Sequence, residues 1–214
     1  MLTNKNIFLP IGGGNEIGAS SLLLRLGEER ILLDAGMRFG AHRAHPAFER
    51  SCLKLGMDGL WDLDAILISH AHGDHVGALS RVVSEAPGVP VHVTEMTQNL
   101  MDVALTEALG RSRGSREAEL ILDMNDLSTL ESTLAACRPI KFGQTIRIGE
   151  VSANFFPAGH LPGAAMIYLQ SKTCNLLYTG DFCNFDQLTV PKHAFPVHLP
   201  VDVLVTEATY WQKD

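Results

Sequence analysis

This chain of 214 residues contains no run of about 18 apolar residues, so no membrane span is expected. Its first residues, Met1 to Asn6, lack the charged-then-apolar pattern of a secretory leader. The four cysteines, Cys52, Cys137, Cys174 and Cys183, form no C-x-x-C pair. Scattered thiols of this kind suit a cytoplasmic protein, not a disulfide framework. A surplus of basic residues is also missing, since the formal charge is −7. A surface given over to nucleic acid is normally basic. What remains is 46% hydrophobic and 19% charged residues, the composition of a globular protein. The length suits one sizeable core, and one domain over residues 1–214 is expected.

Against that background one stretch stands out, Ser69-His70-Ala71-His72-Gly73-Asp74-His75. The apolar run Ala65-Ile66-Leu67-Ile68 leads into it and reads as a buried strand. Val76, Leu79, Val82, Val83 and Ala86 follow at helical spacing, stopped by Pro87-Gly88. The cluster therefore sits on a strand-to-helix turn. Neutral imidazole and carboxylate are the usual ligands of zinc and similar ions. His70 and His72, two apart on extended chain, point the same way. Asp74 and His75, one turn later, can face a second ion. A solvated His-rich loop, or a helix end capped by Asp74, is the plainer alternative; four ligand-type residues after a buried strand favour metal. Two dications would add four positive charges locally, so the overall acidity is a poor guide to this site.

The stretch reads H-x-H-x-D-H, which resembles the signature of the metallo-β-lactamase fold hydrolases. Other segments extend the resemblance. Asn6 to Leu9 reads as a strand leading into Gly12-Gly13-Gly14-Asn15-Glu16-Ile17-Gly18. A dinucleotide loop would need glycine where Ile17 stands, and a helix after it. Ser20 to Leu26 instead looks like a strand, hairpinned to Arg30–Leu33, so a turn at the rim of a site fits better. G-G-G-N-E-I-G also resembles the opening of the β-CASP nucleases, a branch of the same fold that processes RNA or DNA. Asp34-Ala35-Gly36 closes the second strand of the hairpin; an acid there can simply cap a turn, but the resemblance makes Asp34 a support of the His-rich loop.

Residues 37–62 look irregular, and His42 and His45 read as surface residues near the cleft. Pro90 to Val93 reads as a strand. A helix from Thr94 to about Gly110 carries Met96, Leu100 and Val103 beside Met101, Ala104 and Ala108. The basic group Arg111, Arg113 and Arg116 around Gly114 suits a helix C-terminus or, more weakly, phosphate. Leu127, Leu130 and Leu134 suggest another helix. Strands are then expected over Ile140–Phe142, Thr145–Ile148, Val151–Phe156, Ala165–Gln170, Asn175–Thr179 and Val201–Val205. Ala158-Gly159-His160-Leu161-Pro162-Gly163-Ala164-Ala165 resembles the family's third motif, with a Gly-Ala-Ala tail closer to the RNA 3′-end-processing branch than to ribonuclease J. Thr179-Gly180-Asp181 resembles the fourth motif, whose Asp bridges two metals. Cys183 reads as a buried, inert thiol. Glu207-Ala208-Thr209-Tyr210 resembles the first β-CASP motif.

The resemblance implies an α/β (α+β) metallo-β-lactamase αββα sandwich with a metal site at one edge. It implies that His70, His72 and His160 hold a first zinc, Asp74 and His75 a second, and Asp181 both. Asp74, Asp34 and Glu207 are the expected catalytic acids. The β-CASP insertion, the returning segment of the core and the late histidines have no counterpart in the sequence, so the second zinc site is expected to be incomplete. His193 and His198, in a Pro-rich loop, do not fill that role. The expected activity is phosphodiester hydrolysis in nucleic acid, RNA before DNA. A partner chain or second copy covering an open edge is expected too. The competing readings are a hydrolase of small thioesters, lactones or lactams, and a non-catalytic or split-enzyme subunit.

Overall fold

The computed structural model describes residues 6–38, 45–112 and 127–209. Strands β1 (Ile7–Gly12), β2 (Ser21–Leu26) and β3 (Glu29–Leu33) form an antiparallel meander. β3 pairs in parallel with β4 (Ala65–Leu67), followed by β5 (Val91–Thr94) and β6 (Cys137–Ile140), which completes a six-stranded sheet in order β1 to β6. A second, five-stranded sheet holds β7 (Thr145–Ile148), β8 (Val151–Pro157), β9 (Ala165–Gln170) and β10 (Asn175–Tyr178) antiparallel, with β11 (Val203–Val205) parallel to β10 at its outer edge.

The two sheets pack face to face. Leu22, Leu24, Ile31, Leu33 and Leu67 from the first meet Val151, Phe155, Ile167 and Leu176 from the second. Period-two alternation sends Leu23, Leu32 and Ile66 to the opposite face. These strands are apolar on both sides because both sides are covered. Helices α1 (Phe48–Cys52), α2 (Gly73–Val76), α3 (Leu79–Glu85), α4 (Glu95–Ser112) and α5 (Leu127–Ala136) form that second cover, through Phe48, Val76, Leu79, Val82, Met101 and Leu130. On the outer face of the second sheet, Met166, Tyr168 and Leu177 pack under Phe182, Phe195 and Leu199 of a long loop, and among the described residues no helix lies there. The two-sheet sandwich is thus as expected, with helices on one flank and a loop on the other.

Three local expectations are corrected. The strand expected over Ile140–Phe142 runs instead over Cys137–Ile140, where it pairs with β5, and Phe142 turns into solvent. Residues expected to be irregular contain α1 and the 3-10 turns Leu53–Leu55 and Leu60–Asp62, which bury Phe48, Cys52, Leu55, Met57 and Leu60; segments this short carry no readable period. Of the apolar positions on α4, Met101 is buried whereas Met96 and Val103 are exposed. His42, Arg113, Gly114, Arg116, Tyr210 and the side chain of Arg111 lie outside the described residues. Among the described residues no helix is long and apolar enough to cross a membrane.

Candidate metal centre

The strand ends at one edge of the sandwich carry the chemistry. Asp34 follows β3 in the left-handed region, at φ +57°, which an Asp tolerates better than most residues. It is wholly buried. One of its oxygens accepts the Ser69 backbone N–H at 2.7 Å. The other faces the Ser69 hydroxyl at 2.6 Å, His75 Nδ1 at 2.7 Å and the Tyr178 hydroxyl at 2.7 Å. These contacts tie Asp34 to both ends of the His-rich loop. Ser69 and Tyr178 as its partners were missed by sequence reasoning; the only hint was their adjacency to H-x-H and T-G-D.

The loop after β4 is also stitched through its backbone. Ala35 N–H donates to the His75 carbonyl at 2.8 Å, Ser20 N–H to the Asp74 carbonyl at 2.8 Å, and Met37 N–H to the Gly73 carbonyl at 3.2 Å. Gly36 lies so close that a Cβ there would run into the Asp74 carbonyl and the Ser20 amide. Both obstacles are backbone, so Gly36→Ala is expected to cost about 3 kcal/mol of stability, as overpacking does. Chemical denaturation checks this; a variant within about 0.5 kcal/mol of the parent, inside the usual surface-substitution range, would remove Gly36 from the argument.

His70, His72, His160 and Asp181 place one donor atom each within 4.8 Å of one another. His72 Nδ1 lies 3.2 Å from His70 Nε2 and 3.1 Å from His160 Nε2. Asp181 Oδ2 lies 3.8 Å from His70 Nε2 and 3.6 Å from His160 Nε2. The edge of a tetrahedron of ligands held about 2.0–2.1 Å from one ion is roughly 3.3 Å, so the donor set fits a single cation of that size. Ser69 Oγ, committed as donor to Asp34, stands 3.0 Å from His70 Nδ1. Nδ1 then carries the proton and Nε2 keeps its lone pair for the cluster.

His75 is outside this group. Its Nδ1 faces Asp34 and its Nε2 lies 3.3 Å from Asp181 Oδ1, so it reaches Asp181 from the opposite side. Asp74 is half-buried and shares with His75, Asp181 and Glu207 a cleft of about 550 Å³ whose far wall is the loop Gly13–Gly18. That loop joins β1 to β2, as the sequence suggests, and opens no helix. Glu207, after β11, accepts the Phe182 N–H at 3.2 Å and so braces the turn that carries Asp181. Gln187, which sequence reasoning passed over, donates its side-chain N–H to the carbonyls of Gly159 at 2.6 Å and His160 at 3.0 Å. No local pattern marks it. Cys183 is half-exposed and not buried as expected. His45, His193 and His198 stand outside the donor group.

Burial drives the His70 imidazole well below its usual value, reinforced by His75, and burial followed by His160 lowers His72. Burial also opposes charge on His75, but Asp34 and Asp181 outweigh it and raise the group to about 10. Asp181 resists its own burial through His75, which holds it at about 2. In metal-free protein, stability therefore rises with pH towards 6.5, because His70 and His72 take up a proton less readily folded than unfolded. It falls from 6.5 towards 10, because only the folded chain keeps the proton on His75. The Asp181 contribution is lost only below 3.8. Urea midpoints of chelated protein are expected to peak near pH 6.5, with the alkaline limb flattened in His75→Gln. A midpoint rising steadily to pH 9 would contradict this assignment.

The chain matches the family model of the Metallo-beta-lactamase superfamily over residues 14–203. It is 34% identical over 206 residues to Ribonuclease TTHA0252 of Thermus thermophilus, covering 96% of this chain and 44% of the relative. It is 28% identical to the Cleavage and polyadenylation specificity factor subunit 3 of Dictyostelium discoideum, covering 94% and 25%. It therefore spans less than half the length of these relatives. Among solved structures, a metallo-beta-lactamase HARLDQ-motif mutant from Cronobacter sakazakii superposes with a TM-score of 0.57 at 21% identity, covering 88% of this chain and 71% of that one. The dizinc quorum-quenching lactonase AidC does so with a TM-score of 0.52 at 22% identity, covering 75% and 55%. At such identities the structures speak for the fold alone.

Proposed function

Because the chain belongs to the metallo-beta-lactamase superfamily, we propose that it is the metal-binding part of a β-CASP-type nuclease that hydrolyses phosphodiester bonds in RNA. The convergence of His70, His72, His160 and Asp181 beside an open cleft carries the proposal. Relatives named as a ribonuclease and a cleavage factor subunit support RNA as the substrate. The core that both sheets share supports reading residues 1–214 as one domain.

In this reading His70, His72, His160 and Asp181 would hold a zinc ion. Asp74 and neutral His75 would be the groups available, beside Asp181, to hold a second. Bound dications supply Lewis acidity and lower the pKa of water towards neutrality. Asp74 orients the attacking water and accepts its proton. The water oxygen would bond to phosphorus as the P–O3′ bond breaks; the leaving 3′-oxygen would take a proton from solvent and Asp74 would return its own to solvent, leaving a 5′-phosphate and a 3′-hydroxyl. Asp34 fixes His75, and Glu207 positions Asp181 through the Phe182 amide. The outer strand β11, where Leu204 faces solvent, is the edge that a partner chain or second copy would cover.

The test is zinc content by mass spectrometry together with cleavage of end-labelled RNA, DNA and a generic thioester by the full chain. RNA cut to 5′-phosphate ends, abolished by chelator, is the expected result. Thioester turnover with RNA untouched would replace this reading by a small-molecule hydrolase. Zinc bound with no turnover of any substrate would favour a subunit completed by another chain.

A further inference from the structure

The donor group lies where two clefts meet. One is the Gly13–Gly18 cleft already described. The other, of about 520 Å³, shares Asp181 and Glu207 with it, takes in His160 and runs out along Asn184, Phe185 and Gln187. A polynucleotide strand with one phosphate at the donor group must leave it along both. The second cleft is unsuited to a phosphate: none of its lining residues is a lysine or arginine, and two are acids. It presents the rings of Phe182 and Phe185 and the side-chain amides of Asn184 and Gln187. Phe185 is 65% exposed, so its ring face is open to a stacking partner.

The loop that carries Phe185 is braced. Gln187 ties it to the Gly159 and His160 carbonyls, its own backbone N–H donates to Val190, His193 N–H donates to Cys183, and Lys192 N–H donates to Asp186. An aromatic platform fixed in place beside the donor group suits a flat, neutral, hydrogen-bonding ligand. We infer that this second cleft is a nucleobase subsite, in which an unstacked base adjoining the scissile phosphate stacks on Phe185 and meets the Asn184 amide. The inference rests on the proposed nuclease function. Base–aromatic stacking tolerates every base, so the subsite selects single strands over duplex without selecting sequence.

The test is fluorescence anisotropy with the full chain and fluorescein-labelled octauridylate carrying phosphorothioate linkages, beside the same backbone made abasic. Phe185→Ala is expected to weaken octauridylate binding about tenfold, Phe185→Trp to keep it, and the parent to bind the abasic strand as weakly as Phe185→Ala binds octauridylate. Phe185 is exposed, so these variants leave the core intact. Equal binding of the two strands by the parent, or unchanged affinity in Phe185→Ala, would overturn the subsite. Cleavage of unmodified octauridylate, run alongside, keeps the two readings apart. Cleavage without base-dependent binding removes the subsite and leaves the nuclease; base-dependent binding without cleavage does the reverse.

Discussion

Asp181→Asn is expected to cut RNA cleavage by about a thousandfold or more and to lower zinc content. The substitution keeps shape and removes charge at a side chain that faces both halves of the site. Asp181 Oδ2 stands 3.8 Å from His70 and 3.6 Å from His160, and Oδ1 stands 3.3 Å from His75. Losing several kcal/mol of charge stabilisation corresponds to about three powers of ten in rate. Product formation from labelled RNA measures the rate, and mass spectrometry measures the metal. Cleavage within about tenfold of the parent, roughly 1.4 kcal/mol, would take Asp181 out of the reacting centre.

The second large effect concerns folding. Asp34→Asn is expected to cost about 3–5 kcal/mol, the usual penalty for breaking a buried charged network. Asn tolerates the positive φ at this position, so backbone strain is unchanged and the loss is one of hydrogen bonding. Whichever oxygen becomes an amide nitrogen then points a donor at another buried donor: the Ser69 N–H on one side, or Ser69 Oγ, His75 Nδ1 and the Tyr178 hydroxyl on the other. For a chain of this length the melting temperature should fall by about 10 °C. Zinc affinity should also weaken, by about 10–100-fold, because the loop loses its anchor. A variant that melts with the parent would show that Asp34 is dispensable for the loop's geometry.

The local features of this site were readable from neighbouring residues. Ala65 to Leu67 is a buried strand because its residues are uniformly apolar, and the H-x-H-x-D-H turn follows from what surrounds it. β2 and β3 were equally readable, since apolar strands around Gly27-Glu28-Glu29 have one compact solution. The short helical pieces between residues 47 and 62 were not, since each is too short to show a period. The boundary of β6 was missed because a parallel strand is set by its neighbour β5 and not by a local turn.

By itself the sequence determined which groups are available: three histidines and an acid on one turn, further donors at His160 and Asp181, and glycines where the backbone must pass closely. Only the tertiary structure decided how they sort. His160 meets His72 across 88 residues of chain, and that distance closes because the two sheets pack and bring the ends of β4, β8 and β10 to one edge. The same packing points His75 at Asp34, outside the four-donor group, and lays Gln187 under the His160 loop. Contacts of this kind leave no mark on residue spacing, because they depend on strand pairing and on the cost of leaving buried polar groups unpaired.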